Sequence, residues 1–148
     1  MKTDYPQTMH FECPLNIEAA KDDKSVPQFS MVAYTGGPMK IAGFTHPVVV
    51  DLEGLAIDRQ NIPIRLDHNP KQGVGHTNRV AIENGRVVAE GLISRDTSWA
   101  RDVAKSGSRG FPWQASIGAE IIEAEFVPNG QTAQVNGRTF DGPLYVIR

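Results

Sequence analysis

Cysteine is almost missing from this chain, and that narrows its chemistry at once. Cys13 is the only one in 148 residues. A single thiol forms no internal disulfide and supports no CxxC metal or redox site. Long apolar runs are missing too. No stretch approaches the ~18 residues that a membrane-spanning helix needs. Residues 1–14 carry Asp4, His10 and Glu12 and no apolar core segment, so no secretory signal is expected. The reading at this point is a cytosolic protein with no membrane partner. An excess of one charge is also lacking: 15 Lys and Arg stand against 17 Asp and Glu, a formal net charge of −2. There is no global electrostatic case for a nucleic-acid partner. Glycine-rich phosphate cradles are absent, with neither GxGxxG nor GxxxxGK[ST]. No repeat of 20–50 residues and no low-complexity segment is visible.

What is present is ordinary for one folded domain, with 40% hydrophobic and 22% charged residues. A chain of this length buries roughly two-thirds of its unfolded surface, enough for a core without staples. Residues 1–27 lack clear periodicity and read as a mobile N-terminal arm. Its polar end, Glu18 to Ser25, closes at Pro27. The domain proper is expected over residues 28–148.

Short strands dominate that domain. Phe29 to Thr35 is rich in strand formers and stops at Gly36-Gly37-Pro38. Pro47 to Leu52 holds three adjacent valines, which suggests burial on both faces. Ile62 to His68 reads as a third strand, and Pro63 either makes it an edge strand or sits at a position outside the ladder. Val80–Glu83 and Arg86–Glu90 flank Asn84-Gly85, the dipeptide that favours a type I′ hairpin turn. Asn129-Gly130 and Asn136-Gly137 repeat the signal, so Glu120 to Val127 and Gln131 to Phe140 are expected as strands. One segment reads as helix: Asp96-Thr97-Ser98 supplies caps, Trp99, Ala100, Val103 and Ala104 fall at helical spacing, and Gly107 offers a left-handed stop. The inventory predicts a mostly β fold with α, a small antiparallel β-barrel flanked by one or more helices. The strand-like residues Leu144 to Ile147 run into the last residue, Arg148, which reads as a chain lacking its C-terminal part.

Two residues stand out as chemistry. The period-2 rule puts Ile62, Ile64, Leu66 and His68 on one face, a base at the end of an apolar strand before the loop Asn69 to Gly73. The plain alternative is a histidine satisfied by a backbone carbonyl. Ser116 lies in a run where Trp113, Ala115, Ile117, Ala119 and Ile121 share the buried face. Gln114, Ser116, Gly118 and Glu120 share the other. The bare Cα of Gly118 leaves room for another backbone to approach. The plain alternative is a serine on a sheet's wet face. His10 falls in the arm, and His46 in a loop before Pro47. Asp67, His68 and His76 fit no compact zinc pattern, so no metal is expected. Trp99, Phe111 and Trp113 read as core. Arg101, Lys105 and Arg109 read as a solvated cationic face near the helix end.

Together these strings carry a resemblance. Ile-Pro-Ile-Arg-Leu-Asp-His68-Asn-Pro, Gly73-Val74-Gly75, the hairpin at Asn84-Gly85, the helix from Thr97 to Lys105 and Ala115-Ser116-Ile117-Gly118 follow in that order. The ordered set resembles the prohead (capsid maturation) serine proteases of tailed bacteriophages, relatives of the herpesvirus assemblin proteases. Val48 to Gly54 looks similar to an early barrel strand of the same group. The resemblance implies a serine endopeptidase on a herpesvirus-protease-like β-barrel, with Ser116 as nucleophile and His68 as general base, and with no cofactor. It implies scaffold protein, the major capsid protein and the protease itself as substrates, inside an assembling procapsid in the bacterial host cytoplasm. The pattern departs from the family at the third residue. No histidine follows Ser116, and Glu120, Glu123, Glu125 and Asp141 fall in no recognisable motif. The orienting acid and the oxyanion loop are therefore expected beyond Arg148, and self-cleavage would account for that end. An unpaired barrel edge would favour a homo-oligomer. The competing expectation is a non-enzymatic β-barrel phage structural or scaffold module.

Overall fold

The computed structural model describes residues 5–22 and 25–148. Residues 1–4, 23 and 24 of the expected arm lie outside them. The fold is mostly β with one α-helix. Twelve strands are present among the described residues: β1 (Thr8–Pro14), β2 (Asn16–Glu18), β3 (Gln28–Tyr34), β4 (Val48–Val50), β5 (Pro63–Arg65), β6 (Gly73–Glu83), β7 (Arg86–Leu92), β8 (Gln114–Glu120), β9 (Ala124–Val127), β10 (Thr132–Val135), β11 (Arg138–Asp141) and β12 (Leu144–Ile147). The helix α1 spans Ser98–Ser108.

The strands form a five-stranded sheet in the order β2-β3-β7-β6-β5, a three-stranded sheet β4-β12-β9, and the ribbons β1-β8 and β10-β11. No sheet closes on itself, so the pairing is that of open sheets. The stretch expected as an arm is corrected here. Residues 8–14 and 16–18 are strands, one paired with β8 and one with β3. The reason is visible in the alternation: Met9, Cys13 and Ile17 are buried, and Phe11 packs against the same core. That burial offsets the backbone ordering that a mobile arm would avoid.

Other expectations follow local chemistry. Both hairpin turns at Asn84-Gly85 and Asn136-Gly137 have positive φ at each central residue, as a type I′ turn requires. Pro63 lies on β5, the edge of its sheet. The three valines of β4 are buried on both faces because two cores meet there. Val48 and Val50 enter the main core, and Val49 enters a smaller one with Val127, Val135, Leu144 and Val146. The run from Glu120 to Val127 is split. Glu120 ends β8, and the chain turns at 121–123 before β9 pairs with β12. Thr97 caps α1, its hydroxyl accepting from Ala100 N. Gly107 does not stop the helix. It sits against Ile17 on β2, and the left-handed residue is Gly110, with φ +92°. A glycine at 107 is needed because a β-carbon there would run into the Ile17 side chain.

Two buried groups tie the sheets together and titrate. The Tyr34 hydroxyl donates to Gly37 O at 2.6 Å and accepts from Val50 N at 2.9 Å. Burial raises its pKa above the ordinary 10.0, against smaller lowering effects of the Val50 N–H and Arg138. Burial likewise raises the Cys13 thiol above 9.0. Both groups are therefore held protonated in the fold more firmly than in the unfolded chain. Their contribution to stability is fully present below the unfolded values and is lost as pH climbs through the raised ones. The urea midpoint is expected to hold steady to about pH 9 and fall by pH 11. Tyr34→Phe is expected to flatten that fall; an unchanged slope would remove Tyr34 from it.

Candidate active site

β8 presents Ser116 as the alternation predicts. Ala115, Ile117 and Ala119 pack against the main core, while Gln114, Ser116, Gly118 and Glu120 are exposed. The Ser116 hydroxyl makes no hydrogen bond to any described residue. Trp113 anchors the strand's start, its indole N–H donating to Ser106 Oγ at 2.9 Å. β8 pairs antiparallel with β1 alone, in a register that sets Ser116 opposite Glu12 and Gly118 opposite His10.

His68 is placed otherwise than the strand rule predicts. β5 ends at Arg65, and residues 66–69 form a tight, kinked turn rather than a continued strand. Asp67 and His68 both take left-handed backbone, with φ of 52° and 58°. The period-2 face therefore stops at Leu66, and His68 stands exposed at a loop tip. The loop is closed on itself. Leu66 N donates to Gln72 O, Asn69 N to Leu66 O, and Gln72 N to Asn69 O, at 2.9 to 3.0 Å. Asn69 Oδ1 caps the turn by accepting from Lys71 N. Two successive non-glycine residues in this region store roughly 1–3 kcal/mol each. The segment before β5 is fixed just as firmly. Buried Thr77 donates to Gln60 O and accepts from Ile62 N, and the Gln60 amide bonds both backbone groups of Val80.

Ser116 and His68 are not joined by a hydrogen bond, and neither side chain has another partner among the described residues. The candidate acids are dispersed. Glu120 lies opposite Thr8, Asp141 ends β11 opposite Thr132, and Glu125 accepts from Arg148 Nη1 at 2.6 Å. Backbone groups of Glu123 and Arg148 pair with each other. Among the described residues a hydroxyl–imidazole contact lies elsewhere, between His76 Nδ1 and Ser94 Oγ at 2.7 Å. Among the described residues no cluster of three His, Cys, Asp or Glu is placed to hold a metal ion. No described helix is long and apolar enough to cross a membrane.

His10 and Glu12 are what the sequence reading passed over. They share the exposed face of β1 with Thr8, facing the exposed face of β8. The signal was Met9-His10-Phe11-Glu12-Cys13, a strict apolar/polar alternation.

Comparison with protein-family models, with curated proteins and with solved structures finds no match to this chain.

Proposed function

We propose that this protein is a serine endopeptidase of the capsid-maturation type, with Ser116 as the attacking oxygen. The observation that carries the reading is the state of Ser116. It is exposed on β8, between core-packed neighbours, and its hydroxyl has no hydrogen-bond partner among the described residues. The strained loop that holds His68 adds support, because such backbone is kept where function needs it. The resemblance assigns His68 the general-base role. A serine hydroxyl is a weak nucleophile near neutral pH, and an adjacent base contributes about 10²–10⁴-fold. The domain is proposed to be a small β-barrel of the herpesvirus-protease kind, in which the β1-β8 ribbon and the five-stranded sheet enclose one core. The proposed substrates are scaffold protein, the major capsid protein and the protease itself, in a procapsid within the bacterial cytoplasm. A second copy of the chain is a further proposed partner.

A serine-directed diphenyl phosphonate tests this reading. The expected result is a single adduct on Ser116, located by peptide mass mapping. Absence of an adduct on this residue would refute it. The missing Ser116–His68 hydrogen bond favours a second reading, a non-enzymatic β module of phage structure. That reading predicts no adduct anywhere and no cleavage of scaffold.

A further inference from the structure

We infer that β8 is a pairing edge for a second copy of this chain, joined strand to strand across a two-fold axis near Ile117. The inference rests on the proposal that a second copy is a partner, and it supplies the surface. It does not depend on the chemistry of Ser116.

The backbone of β8 carries the argument. At the two ends of the ribbon, Leu15 N donates to Trp113 O at 3.1 Å and Ile121 N donates to Gln7 O at 2.7 Å. Antiparallel ladders alternate bonded and non-bonded pairs. Between those ends the bonded pairs are therefore Cys13 with Ala115, Phe11 with Ile117 and Met9 with Ala119. The N–H and C=O groups of Gln114, Ser116, Gly118 and Glu120 point the other way, to the open side. No described residue bonds them there, and all four residues are exposed.

Sheet edges are normally guarded by proline, lysine or bulges. β8 lacks these guards. It holds neither proline nor lysine, and its register with β1 runs without a shift. Other strands with an open side are short or defended. β2, β4, β9, β10 and β11 have three or four residues each. β5 carries Pro63 and a register shift, and β1 ends in Pro14 and lies against β3.

The strand is also complementary to itself. A two-fold axis near Ile117 sets Gln114 opposite the partner's Glu120 and Ser116 opposite the partner's Gly118, so that outward N–H groups meet outward C=O groups. The Gln114 amide then faces a carboxylate that accepts from it, and no like charges are opposed. The same axis lays the start of one strand beside the end of the other. Two large apolar side chains lie there: Phe111, 55% exposed, just before β8, and Ile122, 85% exposed, just after it. Pairing brings Phe111 of one copy to the partner's Ile122 at both ends of the seam, where apolar area leaves water. An unrelated extended peptide would meet the backbone groups but not these end contacts. Ser116 projects from the face of the sheet rather than into the seam, so its hydroxyl stays open in the pair.

Sedimentation equilibrium of the full chain tests this pairing. The average mass is expected to rise from one chain toward two as concentration increases. Gln114→Glu opposes carboxylates at two symmetric positions and is expected to weaken the dimer by about 2–30-fold. Adding Glu120→Gln to that variant exchanges the two roles and is expected to restore the parent affinity, which a general effect of charge would not do. Ile122→Lys is expected to weaken the dimer by about tenfold. Circular dichroism of all three variants should match the parent. Failure of the double variant to recover would overturn the pairing. A dimer indifferent to every one of these changes would overturn it too, while leaving a second copy as a partner through another surface. A single-chain mass up to about 1 mM would overturn both. The phosphonate result bears on neither.

Discussion

On the proposed function, Ser116→Ala is expected to stop processing of scaffold, of capsid protein and of the chain itself, with no loss of fold. The expected fall in turnover is on the order of 10⁶-fold, the scale seen when a serine protease loses its nucleophile. The stability change should stay within about 0.5 kcal/mol, the usual range for exposed positions with no special contact. The structure supports that separation: the hydroxyl is exposed and bonds to no described residue, while the neighbours Ala115 and Ile117 do the packing. The experiment is co-expression of the variant with the scaffold and capsid proteins, read by intact mass. Cleavage that persists at the parent rate would exclude Ser116 from the mechanism. Loss of cleavage together with a lowered melting temperature would instead point to a structural serine.

Asn136→Ala is expected to be the most damaging substitution outside the core. Its side chain closes three gaps at once. Oδ1 accepts from Leu52 N at 2.9 Å, and Nδ2 donates to Gly36 O at 3.0 Å and to Val50 O at 2.8 Å. The residue also holds φ at 56° at the tip of the β10-β11 hairpin, a region asparagine tolerates better than alanine. Three net hydrogen bonds at about 1 kcal/mol each set a loss of about 3 kcal/mol. For a chain of this size that corresponds to a melting temperature lower by about 10 °C. Asn136→Gly separates the two causes, since glycine keeps the backbone and loses the bonds. It should recover only the smaller, conformational part. A shift below 2 °C for the alanine variant would show that the hairpin is held by other contacts.

How much of this was legible depended on how local each signal is. The Asn84-Gly85 hairpin, the Thr97 cap and the alternation of β8 could be read, because each is decided within a few residues. β1 carries the same kind of alternation as β8, but it was passed over because no turn signal or neighbouring strand pattern frames it. Its alternation covers seven residues, a polar run follows it, and its partner lies far along the chain. The face of His68 was misplaced for a different reason. The period-2 rule assumes extended backbone, and Asp67 takes left-handed φ instead. The polar run Asp67-His68-Asn69-Pro70 is the kind of sequence that permits such a turn. Sheet closure was the least accessible property, because strand order is set by contacts between distant segments.

The pairing of β1 with β8 has a temporal consequence. Thr8 to Pro14 leaves the ribosome early, and its partner Gln114 to Glu120 follows some hundred residues later. At about 5–20 residues per second the first strand waits on the order of 5–20 s for its mate. Contacts so distant in sequence also form slowly once both segments exist. A nascent chain therefore carries the two strands apart, and the ribbon they form is among the last parts to assemble. On the proposed function, a protease that acts on its own neighbours would gain from such a delay.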